Sequence, residues 1–222
     1  MIDRSNFAWN LLFTVLAVLL GLWGVSQVGM DTQVPIHFDV QGNANRWAAA
    51  KWGLFIVPLL LIANVALQIA LPRLDPRGGN LQRSSKAYGV IWVSIQAFLL
   101  AIQCLLVTKT LGYPIEISGF IPGLVGALFV AMGNIMGKLR WNFTVGIRTP
   151  WTLADERVWD KTHRFGGRLF VVGGLLLILG GCLPLAAQVR TWMVPGVTVL
   201  VSLISVLKSY LLWKESVSHH SM

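Results

Sequence analysis

Charged side chains are scarce in this sequence: Asp, Glu, Lys and Arg make up 12% of its 222 residues, against about 25% in a soluble domain. An ordinary soluble protein is thereby excluded. Cysteine is scarcer still. Cys104 and Cys182 each sit in an apolar stretch without a CxxC spacing or a neighbouring ligand, so neither a disulfide framework nor a zinc site is expected. Acidic residues number 9 against 18 Lys and Arg. None lies near the centre of an apolar run, where a proton-coupled pump or cation transporter usually needs one. HExxH, GxSxG, a P-loop and paired carboxylates within an apolar run are also missing, so no catalytic site, metal or cofactor is expected. The first apolar run is too long for a secretory signal and lacks an AxA-type cleavage site, which makes it a retained anchor.

What is present is hydrocarbon. Six apolar runs, roughly 8–29, 52–71, 88–108, 118–137, 168–188 and 192–213, each reach the 20 or so residues needed to cross a bilayer. They predict an all-α integral membrane protein with six transmembrane helices in one continuous bundle. Period-two alternation is missing from these runs, which argues against a β-barrel. Placing both termini in the cytoplasm puts fourteen of the 18 Lys and Arg inside, leaving Arg46, Lys51, Lys109 and Arg190 outside. This asymmetry predicts that orientation. It also accounts for the net charge of +9 without direct nucleic-acid binding. Trp9, Trp23, Trp52, Trp92, Trp141, Trp192 and Trp213 fall near span ends, as an interfacial belt would.

Polar groups inside the spans fall into helical pairs: Asn64 with Gln68, and Gln96 with Gln103. Each pair lies along one face and is expected to point into the bundle as interhelical glue. Lining a transport cavity is the alternative. Gly166-Gly167, Gly173-Gly174 and Gly180-Gly181 recur every seven residues, while Gly119, Gly123, Gly133 and Gly137 form two GxxxG spacings in span four. The paired glycines are expected to stack into one bare stripe against which span four packs face to face.

Two loops are unusually specific. In the outer one, Pro35-Ile36-His37-Phe38-Asp39-Val40 alternates before a Gln41-Gly42-Asn43 turn and Arg46-Trp47, predicting an extended segment or hairpin. His37 and Asp39 would share a side, with Arg46 and Lys51 able to pair with Asp39 or a ligand. His-x-Asp alone is too few ligands for a metal site, and local hydrogen bonding is the expected role of His37. The inner loop, Asn142 to Phe165, has a turn at Gly146 and Thr149-Pro150. After it, Thr152 is expected to cap a helix with Asp155 and Glu156 in its first turn. Val158, Trp159, Thr162 and Phe165 on one face, with Asp160 able to pair with Arg164, predict an interfacial amphipathic helix.

Asn142 to Leu153, with Trp159 and Thr162-His163-Arg164 leading into the glycine-rich span, resembles the signature of the SdpI family of bacterial membrane proteins. Pro35-Ile36-His37-Phe38 to Gly42, with Arg46-Trp47 and Lys51, is similar to a small module that commonly precedes that domain. The resemblance divides the chain into an N-terminal membrane module (1–71) and an SdpI-like domain (72–222). It implies a non-enzymatic, multi-pass protein of the bacterial cytoplasmic membrane, giving immunity to a secreted membrane-active peptide toxin. In some members the protein also signals by holding a cytoplasmic transcriptional repressor at the membrane. Candidate contact residues are His37, Phe38, Asp39, Gly42, Arg46 and Trp47 outside. Inside, the signature comprises Asn142, Gly146, Arg148, Thr149, Pro150, Trp151, Thr152, Trp159, His163 and Arg164, as a functional or an architectural element. A membrane enzyme using His163, Arg148 and Asp160 or Glu156, and a transporter using Asn64, Gln68, Gln96 and Gln103, are the competing readings.

Overall fold

Apolar runs of this length can satisfy their backbone in lipid only by winding into helices, and the computed structural model, which describes residues 4–39 and 43–220, is built from them. In chain order come α1 (Arg4–Val28), β1 (Gln33–Phe38), β2 (Ala44–Ala49), α2 (Ala50–Gly53), α3 (Ile56–Leu74), α4 (Gly78–Arg83) and α5 (Ser85–Thr110). After them come α6 (Ile117–Met136), α7 (Pro150–Ala154), α8 (Glu156–Cys182) and α9 (Ala187–His220). Six helical stretches are long and apolar enough to cross a membrane, one for each expected span.

Purely helical the protein is not. β1 and β2 pair antiparallel, with Val34 opposite Ala48, Pro35 opposite Trp47 and His37 opposite Arg46, and the register slips on either side of His37. Pro35 has no N–H to give to the ladder. Val34 anchors the hairpin by burying itself among Ala50, Leu54, Leu106 and Val107. Gly42 and its neighbours Val40 and Gln41 lie outside the described residues.

α1, α3 and α5 are held together by amide side chains. Gln68, Gln96 and Gln103 are fully buried and Asn64 half-buried, and side-chain bonds from α5 answer two prolines. Pro58 has no N–H for the carbonyl four residues back, that of Leu54. Gln103 on α5 donates to that oxygen at 3.0 Å. Pro72 likewise deprives the carbonyl of Gln68, and Tyr88 donates its hydroxyl there at 2.9 Å. Between these, Gln96 donates to the Leu61 carbonyl at 3.2 Å, and Asn10 of α1 donates to the Gln68 side-chain oxygen at 2.7 Å. Gln68, Gln96 and Gln103 are therefore interhelical glue, whereas the buried side-chain oxygen of Asn64 meets no hydrogen-bond partner among the described residues.

α6 and α8 use no side chain at all where they meet most closely. A Cβ on Gly133 would come within 2.5 Å of the Gly167 carbonyl, one on Gly126 within 2.5 Å of the Gly174 carbonyl, and one on Gly181 within 3.3 Å of the Gly119 carbonyl. Spans four and five do pack face to face, with Gly126 completing a heptad of small residues on α6. The expected single stripe is really two, because adjacent residues on a helix point about 100° apart. Gly167, Gly174 and Gly181 face α6, whereas Gly173 and Gly180 face Val197, Val201 and Met193 of α9.

The expected interfacial helix and span five are one continuous helix, α8. Thr152 does not cap it: Asp155 does, accepting from the N–H groups of Arg157 (2.7 Å) and Val158 (3.3 Å). The face bearing Val158, Trp159 and Thr162 is buried in protein and does not lie on a membrane surface. Trp9, Trp23, Trp52 and Trp192 are exposed near helix ends, but Trp92 is buried against Tyr88.

Candidate functional site

At the end of the bundle shared by both termini, residues 139–155 fold into a knot pinned from three sides. Asn142 forms its first turn, its side-chain oxygen accepting from the N–H groups of Thr144 (2.9 Å) and Val145 (2.7 Å). Gly146 follows with φ +128°, and a Cβ there would collide with the His163 ring. Only glycine combines that backbone with that approach. Thr149 caps α7 in a reciprocal capping box with Thr152, with Pro150 at the first helical position, where a missing N–H does no harm.

His163 and Trp159 are completely buried and stacked, with ring centres 3.9 Å apart. His163 Nε2 accepts from the Ile147 N–H at 2.9 Å, so the ring hydrogen sits on Nδ1, which donates to the Trp159 carbonyl at 2.8 Å. Both nitrogens are committed, and the ring has no lone pair or proton for a substrate. Trp159 donates its indole N–H to the Leu139 carbonyl at 2.8 Å. Arg148, Glu156, Asp160 and Arg164 are exposed, whereas His163 is fully buried. The expected Asp160–Arg164 ion pair is not among the bridges formed by the described residues.

Two further anchors carry the knot. Thr149 Oγ lies 3.0 Å from Ser209 Oγ and Trp151 packs on Tyr210, tying it to α9. Asp75, at the end of α3, is buried and accepts from the Phe143 N–H and the Thr144 hydroxyl, both at 2.9 Å. Arg77 lies over the Trp141 ring at 3.2 Å, and Asn80 donates to the Trp141 carbonyl at 2.8 Å.

At the opposite end the hairpin leans over the first turns of α6 and α9 and leaves a cleft of about 470 Å³. His37, Phe38 and Asp39 line one side, Ile117 and Ile121 the floor, and Arg190 with Trp192 the other side. His37 Nδ1 is 2.6 Å from the Asn45 side-chain oxygen, so it does stabilise its own loop. Asp39 accepts from the Asn43 N–H at 2.8 Å. Lys51 pairs with Asp31 at 2.6 Å rather than with Asp39. Arg190 donates to the Leu185 carbonyl at 3.0 Å and faces Glu116 at 3.5 Å. Arg46 and Trp47 sit on β2 and do not line the cleft. Among the described residues no three His, Cys, Asp or Glu side chains are placed to hold a metal.

Residues 138–209 match the SdpI/YfhL protein family and residues 12–62 a domain of unknown function, DUF1648. Over 152 residues, covering 65% of this chain and 69% of the relative, the sequence is 34% identical to Immunity protein SdpI of Bacillus subtilis (strain 168). The chain belongs to the SdpI family. No solved structure matches it. As a member of that family it is a multi-pass membrane protein.

The SdpI-matched segment begins just before the knot and ends at Ser209, which holds Thr149. Asn142, Gly146, Thr149, Pro150, Trp151, Thr152, Trp159 and His163 thus form one connected scaffold, with Arg148 and Arg164 exposed and Arg148 donating to the Phe143 carbonyl at 3.1 Å. Asp75, Arg77 and Asn80 were not singled out from the sequence. Their signal was the turn Asp75-Pro76-Arg77-Gly78-Gly79, in which Arg77 counted only as an orientation charge. Ile117 and Ile121 were missed, and Trp192 counted only as an interfacial anchor, for another reason: they reach the cleft from elements far apart in the chain.

Proposed function

We propose that this SdpI-family protein is a non-enzymatic membrane protein that gives its bacterial cell immunity to a secreted, membrane-active peptide, and that the cleft beneath the hairpin is where the peptide is held. One observation carries the reading: the cleft is shared between the two family segments. Phe38 comes from the DUF1648 segment and Trp192 from the SdpI segment, so neither part builds the site alone. The relative that the chain resembles is itself named an immunity protein.

The basic asymmetry supports placing the termini and the knot in the cytoplasm and the cleft on the outer face of the cytoplasmic membrane. A peptide arriving from outside then meets an apolar floor with a rim of His37, Asp39 and Arg190, suited to an amphipathic segment. Residues 1–71 act as the module that carries the hairpin and 72–222 as the domain that carries the other wall. On the inner face, exposed Arg148 and Arg164 beside the rigid knot present a surface for a cytoplasmic transcriptional repressor, through which toxin occupancy is signalled.

The test is survival of a sensitive strain expressing the protein under a cognate peptide, together with photocrosslinking from position 37. Phe38→Ala with Trp192→Ala is expected to abolish protection and crosslinking while leaving the melting temperature unchanged, since Trp192 is exposed and Phe38 only partly buried. Full protection by the double variant overturns the assignment of the cleft. Unchanged survival of the deletion strain across candidate peptides overturns the immunity reading.

A further inference from the structure

The basic residues at the end of the bundle that carries the knot are not all spread over its surface. Between α1, α3, α4 and α5 lies a second crevice, of about 460 Å³. Phe7 and Ile69 give it an apolar wall, Arg4 and Arg73 border it from two different helices, and Gln82 and Ser85 add polar groups. Both arginines are exposed. Neither belongs to an ion pair among the described residues, and no described carboxylate lines the crevice.

Arg4 opens α1 and Arg73 falls in the last turn of α3, so both stand where an apolar span leaves hydrocarbon, at the depth of lipid phosphates. Below them the wall is apolar. Positive charge at the mouth with hydrocarbon underneath is the complement of a phosphate on an acylated glycerol, and basic pockets between transmembrane helices bind such headgroups. A free phosphate would use the arginines but not the wall. A zwitterionic headgroup would bring its own cation against two guanidinium groups.

We infer that this crevice is a binding site for one anionic phospholipid, its phosphate held by Arg4 and Arg73 and its first acyl carbons lying against Phe7 and Ile69. The inference is independent of the peptide reading. The test is native mass spectrometry of the full chain in detergent, titrated separately with phosphatidylglycerol, phosphatidylcholine and inorganic phosphate. One phosphatidylglycerol is expected to stay bound, with phosphatidylcholine at least tenfold weaker and inorganic phosphate unable to displace the lipid. Arg4→Gln and Arg73→Gln should each weaken retention about fivefold and together about thirtyfold, whereas Lys214→Gln at the same end of the bundle should not. Equal binding of phosphatidylcholine, displacement by inorganic phosphate, or unchanged retention in the double variant overturns it.

Discussion

The two halves of the bundle solve the same problem in opposite ways. α1, α3 and α5 are held by polar side chains that donate to backbone carbonyls: the amides of Gln103 and Gln96 to those of Leu54 and Leu61, and the Tyr88 hydroxyl to that of Gln68, the Leu54 and Gln68 carbonyls being left without helical partners by Pro58 and Pro72. α6 and α8 are held by the absence of side chains, glycine against backbone oxygen at three positions spaced seven residues apart. In lipid the hydrophobic effect does not drive helices together, so packing and hydrogen bonds must. Their strengths differ. An interhelical hydrogen bond averages about 0.6 kcal/mol and reaches about 1.7 kcal/mol at most. A side chain forced into a close seam costs about 1–3 kcal/mol, and more when the backbone must part.

Gly174→Leu should therefore be the most damaging change, losing about 3 kcal/mol or more, because its Cβ already meets the Gly126 carbonyl. A detergent melting curve equal to that of the unaltered protein would remove the glycine seam from the account. Next comes Gly146→Ala, expected to cost about 1–3 kcal/mol through its positive φ and to displace His163. The displacement should show as a changed near-ultraviolet signal from the stacked Trp159.

The amide half should respond less. Gln103→Leu is expected to cost about 1 kcal/mol by leaving the Leu54 carbonyl without a donor, and this loss should shrink when Pro58→Ala restores an N–H to that oxygen. A double-mutant cycle with no coupling between positions 58 and 103 would break the proline explanation. Gln96→Leu should cost less than Gln103→Leu, since the Leu61 carbonyl lies within the regular helix and no proline follows it at the fourth residue. Smallest of all is Gly196→Ala in α9, where a Cβ meets nothing within 4 Å and the melting temperature should stay put. If it falls, tolerance in this half depends on something other than the contacts at each glycine.

Legibility followed the range of the physics. Gln68, Gln96 and Gln103 could be placed inside the bundle because burying an unpartnered amide in lipid is costly, and periodicity set which face they share. Their partners were not legible, because those lie on other elements: the Leu61 and Leu54 carbonyls for Gln96 and Gln103, and the Asn10 amide that donates to Gln68. The outer hairpin could be read from alternation and a turn signal, and His37 does hold its own loop. Which walls complete the cleft could not be, since Ile117, Ile121 and Trp192 are brought to Phe38 by helix packing alone. In the signature loop the turn at Gly146 was readable. The cap was misassigned because Thr152 and Asp155 both have the chemistry, and it is α7 folding as its own turn that leaves Asp155 to start α8.

By itself the sequence determined six apolar helical runs, the specific loops at their two ends and the seven-residue glycine repeat, all properties of local composition and period. Tertiary structure decided that the paired glycines serve two different neighbours, that His163 is a buried neutral strut, and that the two family segments meet around one cleft. Each of these depends on what a second element brings within a few ångströms, and no single stretch of the chain encodes that distance.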